Sequence, residues 1–161
     1  AAVGRCEVGT VTLYDNLAFA AWPVRRGRFS ISTERRPDFV VTWEGHDGTR
    51  RWVVLDAKYR ATYDSIAEAL QEIHVYRDAL RWPEFSGACH AAAVLVPRVE
   101  QRATRWGDGE FVDQFRFGLV TVCPRAPQEA LVARLRQWLR ASEPLLASRQ
   151  ASASGDTTDV R

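Results

Sequence analysis

The alternation of apolar and polar positions divides the chain into a strand-rich first third and a remainder that mixes helical and strand periods. Residues 10–16 and 19–24 are short β-branched and aromatic runs that read as strands, with 16–18 as a turn between them. Residues 25–36 are polar, carry Gly27 and five arginines, and read as a loop or a sheet edge. Residues 38–43 and 52–56 are rich in β-formers, and the stretch 44–50 between them holds the turn pair Asp47-Gly48, which predicts a hairpin. Residues 64–82 place Ile66, Leu70, Ile73, Tyr76 or Arg77, and Leu80 at helical spacing. Asp64 or Ser65 is expected to cap that helix and Pro83 to end it. Residues 91–96 form an apolar run before Pro97 and predict a buried strand; residues 99–114 are polar, contain Gly107 and Gly109, and read as an exposed excursion. Residues 117–123 read as a strand stopped by Pro124, and 127–141 as an amphipathic helix with Leu131, Leu135, Trp138 and Leu139 on its apolar face. No internal repeat is visible.

The resulting order, β-β-β-β-α-β-β-α, predicts an α/β fold with a mixed β-sheet flanked by helices. The 161 residues suit one domain, expected over 1–145, and the Ser-, Ala- and Thr-rich tail over 146–161 is expected to be disordered. Lys+Arg number 22 and Asp+Glu 20, so the net charge of +2 neither demands nor excludes a nucleic-acid partner. Cys6, Cys89 and Cys123 are far apart and show no CxxC spacing, which predicts reduced thiols in a cytoplasmic protein and excludes a zinc site of that type. No run of 18 apolar residues occurs, so no membrane partner is expected. The chain has no Met, even at position 1, which reads as a fragment or a processed chain.

The chemistry sits on the hairpin. Pairing its strands about a centre near Asp47 sets Asp38 opposite Asp56, with Cβ atoms about 5 Å apart on one face. Lys58, two residues on, projects from that face too. Two carboxylates so close repel unless a cation compensates, and hard oxygen donors suit Mg²⁺ or Mn²⁺. The Ala57 carbonyl is a further candidate ligand. Lys58 would sit beside such a metal, to orient or deprotonate a water or to stabilise charge on a phosphate. It is the sole lysine in a chain rich in arginine, and lysine is the cation whose pKa can be moved. The bland alternative is a solvated surface pair, which is what most D-x-K sequences are.

Pro37-Asp38 followed by Asp56-Ala57-Lys58 resembles the PD-(D/E)XK nuclease signature. With Leu55-Asp-Ala-Lys-Tyr-Arg60 and the later His74-Val-Tyr-Arg-Asp-Ala79, the chain resembles the nuclease domains related to the C subunit of McrBC-type methylcytosine restriction systems. The resemblance covers roughly positions 10–140. It implies a restriction-endonuclease-like fold and a metal-dependent DNA endonuclease. Asp38 and Asp56 would be metal ligands, Lys58 the catalytic lysine, and DNA the substrate. Related nucleases present Gln-x-x-x-Tyr from the helix after the lysine; Tyr76 matches the tyrosine, while Glu72 stands at the glutamine position. One turn apart, the two share a helix face, and Glu72 is either a further metal carboxylate or a solvated residue. The family's first helix, with its acidic residue, has no counterpart before Val11, so this stretch is expected to be missing.

His74, on the helix between Glu72 and Tyr76, reads as a packing or surface residue more than as a catalyst, and His46 and His90 have no partners at metal-ligand spacing. The arginines 25, 26, 28, 35 and 36 are either phosphate contacts or a solvated loop, and Arg98, Arg102 and Arg105 with Trp106 read as a solvated excursion with some capacity to touch DNA. Trp138 reads as core. Two functions compete: a nuclease serving restriction or defence with other domains or subunits, and a catalytically silent nucleic-acid-binding or assembly module on the same fold.

Overall fold

Residue parity along the hairpin strands decides which layer each side chain joins. Val40, Trp52 and Val54 face one way and Val41, Trp43, Val53 and Leu55 the other, and each set heads its own buried cluster. The structure, a computed structural model, describes residues 1–6, 8–23, 27–59, 62–123, 125 and 128–140. Its strands are β1 (Ala2–Cys6), β2 (Gly9–Asp15), β3 (Ala20–Ala21), β4 (Phe29–Ser30), β5 (Phe39–Gly45), β6 (Arg50–Ala57), β7 (Leu80–Trp82), β8 (Gly87–Ala88), β9 (Ala91–Val96) and β10 (Phe117–Thr121). Its α-helices are α1 (Tyr63–Ala79), α2 (Gly109–Phe115) and α3 (Glu129–Arg140).

A six-stranded sheet runs β1-β2-β5-β6-β9-β10. Its first four strands are antiparallel, and β6, β9 and β10 run parallel. α1 covers one face, through Ile66, Ala69, Leu70, Ile73 and Tyr76. α3 covers the other with Trp138 and Leu139, and Val112 of α2 joins it there. This is the α/β arrangement of a mixed sheet between helices expected from the order of elements, and it is consistent with the restriction-endonuclease-like fold that the resemblance implied.

The hairpin register is as deduced. Phe39 pairs with Leu55 and Val41 with Val53, so the pairing is symmetric about position 47. The turn is fixed by Asp47, whose carboxylate accepts from the Thr49 N–H and hydroxyl, both at 2.9 Å, and by Gly48 at φ +83°.

Several expectations are corrected. α1 is capped by Thr62, whose hydroxyl accepts from the Ser65 N–H, so neither Asp64 nor Ser65 is the cap. It also stops at Ala79, before Pro83. Leu80–Trp82 is extended because it pairs with β4 and β8 in a second, small sheet of order β3-β4-β7-β8. Pro83 opens a 3-10 turn, Pro83–Phe85. The strand expected over 19–24 is only Ala20–Ala21, and Val24 lies outside the described residues. Residues 99–114 are not an irregular excursion: a 3-10 helix, Gln101–Trp106, buries Ala103, and α2 buries Val112. Both lie close on β10 because Gly118, at φ +145°, has no Cβ; one there would strike the Trp106 carbonyl and Val112. Residues 2–6 form a strand that was not expected. The tail 146–161 lies outside the described residues.

Candidate active site

The even-numbered residues of β5 and β6 face α1, and that parity carries Asp38, Asp56 and Lys58 to the α1 side at the ends of the two strands. Position 38 precedes β5, and from there the side chain continues the ladder: Asp38 Oδ2 accepts the Ala57 N–H at 2.8 Å. Lys58 N–H donates to the Leu95 carbonyl at 2.9 Å, which turns the peptide of residue 58 toward β9. Alternation along a strand therefore turns the Ala57 peptide toward β5. The residue opposite it would be Pro37, which has no N–H to give, so the Ala57 carbonyl has no ladder donor.

Asp56 is buried, with 3% of its surface exposed, and its Oδ2 meets the Lys58 ammonium at 2.6 Å. That contact is an ion pair without hydrogen-bond alignment, so Oδ2 is a buried acceptor lacking a directed donor. Burial, and then the charges of Asp38 and Glu72, push the Asp56 carboxyl above its ordinary pKa despite Lys58. Glu72 comes from the third turn of α1 and the fourth turn supplies Tyr76. Lys58 Nζ donates to Glu72 Oε2 at 3.1 Å, and the Tyr76 hydroxyl donates to Glu72 Oε1 at 3.0 Å. Burial opposes the charge on Lys58, but the adjacent Asp56 and Glu72 carboxylates outweigh it and hold the ammonium above its ordinary pKa. Glu72 is also partly buried, yet Lys58 and Tyr76 keep its carboxyl below the usual range. Burial and the adjacent Glu72 carboxylate push the Tyr76 phenol up.

All five residues singled out from the sequence thus converge in one place: Lys58, Glu72 and Tyr76 are hydrogen-bonded, Asp56 is ion-paired with Lys58, and Asp38 is bonded to the Ala57 backbone between them. Glu72 is neither simply solvated nor set apart: it is the bridge between Lys58 and Tyr76. A cavity of about 360 Å³ opens beside it, lined by Lys58, Tyr59, Ser65, Glu68, Ala69 and Glu72. Glu68 was not singled out, although its place one turn before Glu72 was a usable signal. Another cavity, of about 340 Å³, lies on the opposite face against α3; its lining is largely apolar and carries no acid–base pair.

The remaining candidates go elsewhere. His74 is exposed and stacks on Phe117 at 4.0 Å, a packing role. Arg28 donates to the Ala18 carbonyl and lies over Trp82, and Arg36 pairs with Glu34. Arg35 is half-buried with an unpartnered Nε, and its charge acts on Glu72. Arg25 and Arg26 lie outside the described residues. Trp138 is core, as expected.

For a hard divalent cation the donor chemistry is suitable: two carboxylates, one with a buried undirected oxygen, and a carbonyl without a ladder partner. Among the described residues no three His, Cys, Asp or Glu side chains form a metal-binding group on their own.

A mixed sheet between helices, with two acids and a lysine gathered where its central strands end, defines a protein of the restriction-endonuclease-like class. The family model of the PD-(D/E)XK nuclease superfamily matches residues 9–101, more than half the chain and inclusive of all five site residues, and the chain belongs to that superfamily. Its function is accordingly of the nuclease type, a hydrolase. Neither the curated proteins nor the solved structures contain a match to it. No helix among the described residues is long and apolar enough to cross a membrane.

Proposed function

We propose that the protein is a metal-dependent endodeoxyribonuclease that hydrolyses DNA phosphodiesters, as the catalytic part of a bacterial restriction or defence system. The observation that carries this reading is the convergence of Asp38, Asp56 and Lys58 on one sheet face, with Lys58 held by Glu72 from α1. Asp38, Asp56 and the Ala57 carbonyl would hold Mg²⁺ or Mn²⁺. Such an ion, when bound, supplies charge to screen the phosphate and to acidify water.

The chain's own groups do the rest. Asp38 is oriented by the Ala57 N–H. Lys58 offers a fixed positive charge rather than a base, because two carboxylates grip its ammonium at 2.6 and 3.1 Å. That charge stands where negative charge grows on the phosphate as a water oxygen bonds to phosphorus and the ester P–O bond breaks. Glu72 and Tyr76 limit the directions in which Lys58 can point.

The full chain incubated with plasmid DNA should cut it in Mg²⁺ or Mn²⁺ and not in EDTA. Lys58→Ala should lower the rate by about 10²–10⁴-fold. Cleavage that survives EDTA or the substitution would refute the mechanism. Among the described residues no three acidic, His or Cys side chains form a metal group, which favours a second reading, a catalytically silent DNA-binding module. Binding without cleavage under every metal would select it.

A further inference from the structure

On the other flank of the α1 N-terminus lies a ladder of two stacked aromatic rings, each with an arginine over it. Tyr63, the first residue of α1, stacks on Trp106 with ring centres 5.5 Å apart. The Arg102 guanidinium lies 4.4 Å over Tyr63, and that of Arg105 lies 4.5 Å over Trp106. The ladder adjoins the active site through the backbone. Lys58 N–H is bound to Leu95 of β9, and β9 leads through Arg98 into the 3-10 helix that carries both arginines. That helix is docked on α1 by Glu100, which accepts the Tyr63 N–H at 2.6 Å.

We propose that this ladder grips the phosphate backbone of duplex DNA beside the active site. The choice of DNA rests on the nucleolytic reading above. Three observations carry the grip itself. The first is that the nearby acids are already engaged while these arginines are not. Glu100 is bound to the α1 N-terminus, Asp108 accepts from the Glu110 and Phe111 N–H groups, and Asp113 pairs with Arg134. Among the described residues neither Arg102 nor Arg105 has a carboxylate within ion-pairing distance. Glu110, which lines a cavity with Arg105, and Asp64, next to Tyr63 in α1, are exposed exceptions, and among the described residues neither pairs with Arg102 or Arg105.

The second observation is spacing. Residues three apart in a 3-10 helix are eclipsed, so Arg102 and Arg105 leave one face of the helix from backbone positions about 6 Å apart, and each guanidinium lies over a different ring of the stacked pair. The third is rigidity. Both arginines are exposed, yet their guanidiniums are held over rings, so less side-chain entropy remains to be lost when an anion arrives. The rings themselves are covered by one another and by the guanidiniums, which leaves them poor platforms for bases. The contact is therefore to backbone and blind to sequence.

The test is the salt dependence of binding to a fluorescein-labelled duplex, followed by anisotropy in EDTA so that no cleavage intervenes. The double variant R102A/R105A should bind at least ten-fold more weakly at low salt. Its slope of log K against log salt should be shallower by about 2, one for each lost phosphate contact. The variant R102K/R105K, which keeps the charges, should retain the slope and guards against loss of folding as the cause. An unchanged slope in R102A/R105A, or a wild-type chain that does not bind the duplex, overturns the proposal. Cleavage of plasmid is scored separately. A chain that cuts DNA while its slope ignores both arginines refutes the grip alone; a chain that loses slope but never cuts refutes the nuclease alone.

Discussion

His90, just before β9, gives the molecule a calculable acid sensitivity. Arg116 Nη1 lies 2.9 Å from His90 Nε2, and a guanidinium can only donate. The imidazole must therefore accept through an unprotonated Nε2, which makes it neutral. Burial first, then the charges of Arg116, Arg51 and Arg77, push its pKa from 6.5 down to about 4. The folded value lies below the unfolded one, so between those pH values the unfolded chain binds more protons. Stability is complete above the upper value, falls as pH drops through the window, and loses nothing more from this group below about 4. At 1.36 kcal/mol per pKa unit the ceiling is about 3 kcal/mol. The ring is only half-buried, and solvent screening reduces this to about 1.5–2 kcal/mol. In a chain of this size that is a melting-temperature loss of about 3–8 °C. His90→Gln keeps an acceptor for Arg116 without a titrating proton. Urea or thermal unfolding from about pH 7 to about pH 4 should show the wild-type chain losing that amount relative to the variant, since every other titrating group is shared. A constant gap between the two across the whole range would refute a neutral, acceptor His90.

Three further outcomes follow from single sites. Gly118→Ala should destabilise by about 3 kcal/mol or more, read as a lower urea midpoint, because a Cβ would overlap the Trp106 carbonyl and Val112 at a φ that L residues avoid. Iodoacetamide on the native chain should alkylate the exposed Cys6 and Cys123, located by mass spectrometry, and spare Cys89, which is buried with its thiol pushed up to about 12. Tyr76→Phe removes the hydrogen bond to Glu72, worth about 1 kcal/mol, so single-turnover cleavage should slow about five-fold with DNA affinity unchanged.

What was legible in the chain had a local cause. The hairpin register followed from Asp47-Gly48 at the centre of two matched apolar runs, and it alone set Asp38 against Asp56. The buried face of α1 followed from the spacing of Ile66, Leu70, Ile73 and Tyr76. What was missed had a tertiary cause. β7 interrupts a helical period because Leu80 and Trp82 gain partners in β4 and β8, strands of two residues that no periodicity can reveal. The segment after β9 looked solvated because its polarity is real; Ala103 and Val112, two apolar residues nine apart, are its fully buried anchors, with Val99, Trp106 and Phe111 partly buried against the core. β1 is exposed along its whole length, so it carries no alternation to detect.

Glu72 shows how the site itself exceeds its motif. With glutamine at that position, the centre would hold two acids and one lysine. With glutamate, the centre holds three carboxylates and a single ammonium, two of them in contact with it, and even with Arg35 acting on Glu72 the acids outnumber the cations. The cost is visible at Asp56, whose carboxyl is pushed up by burial and by both other acids although Lys58 is 2.6 Å away. A fold that buries an under-compensated carboxylate sacrifices stability, which proteins tolerate where function requires it. Lys58 cannot supply the missing charge, because Glu72 shares it. The deficit is the one a hard divalent cation between Asp38 and Asp56 would make good, and the same excess of acid would leave Lys58 bound in place as a charge, with Tyr76 fixing the carboxylate that holds it.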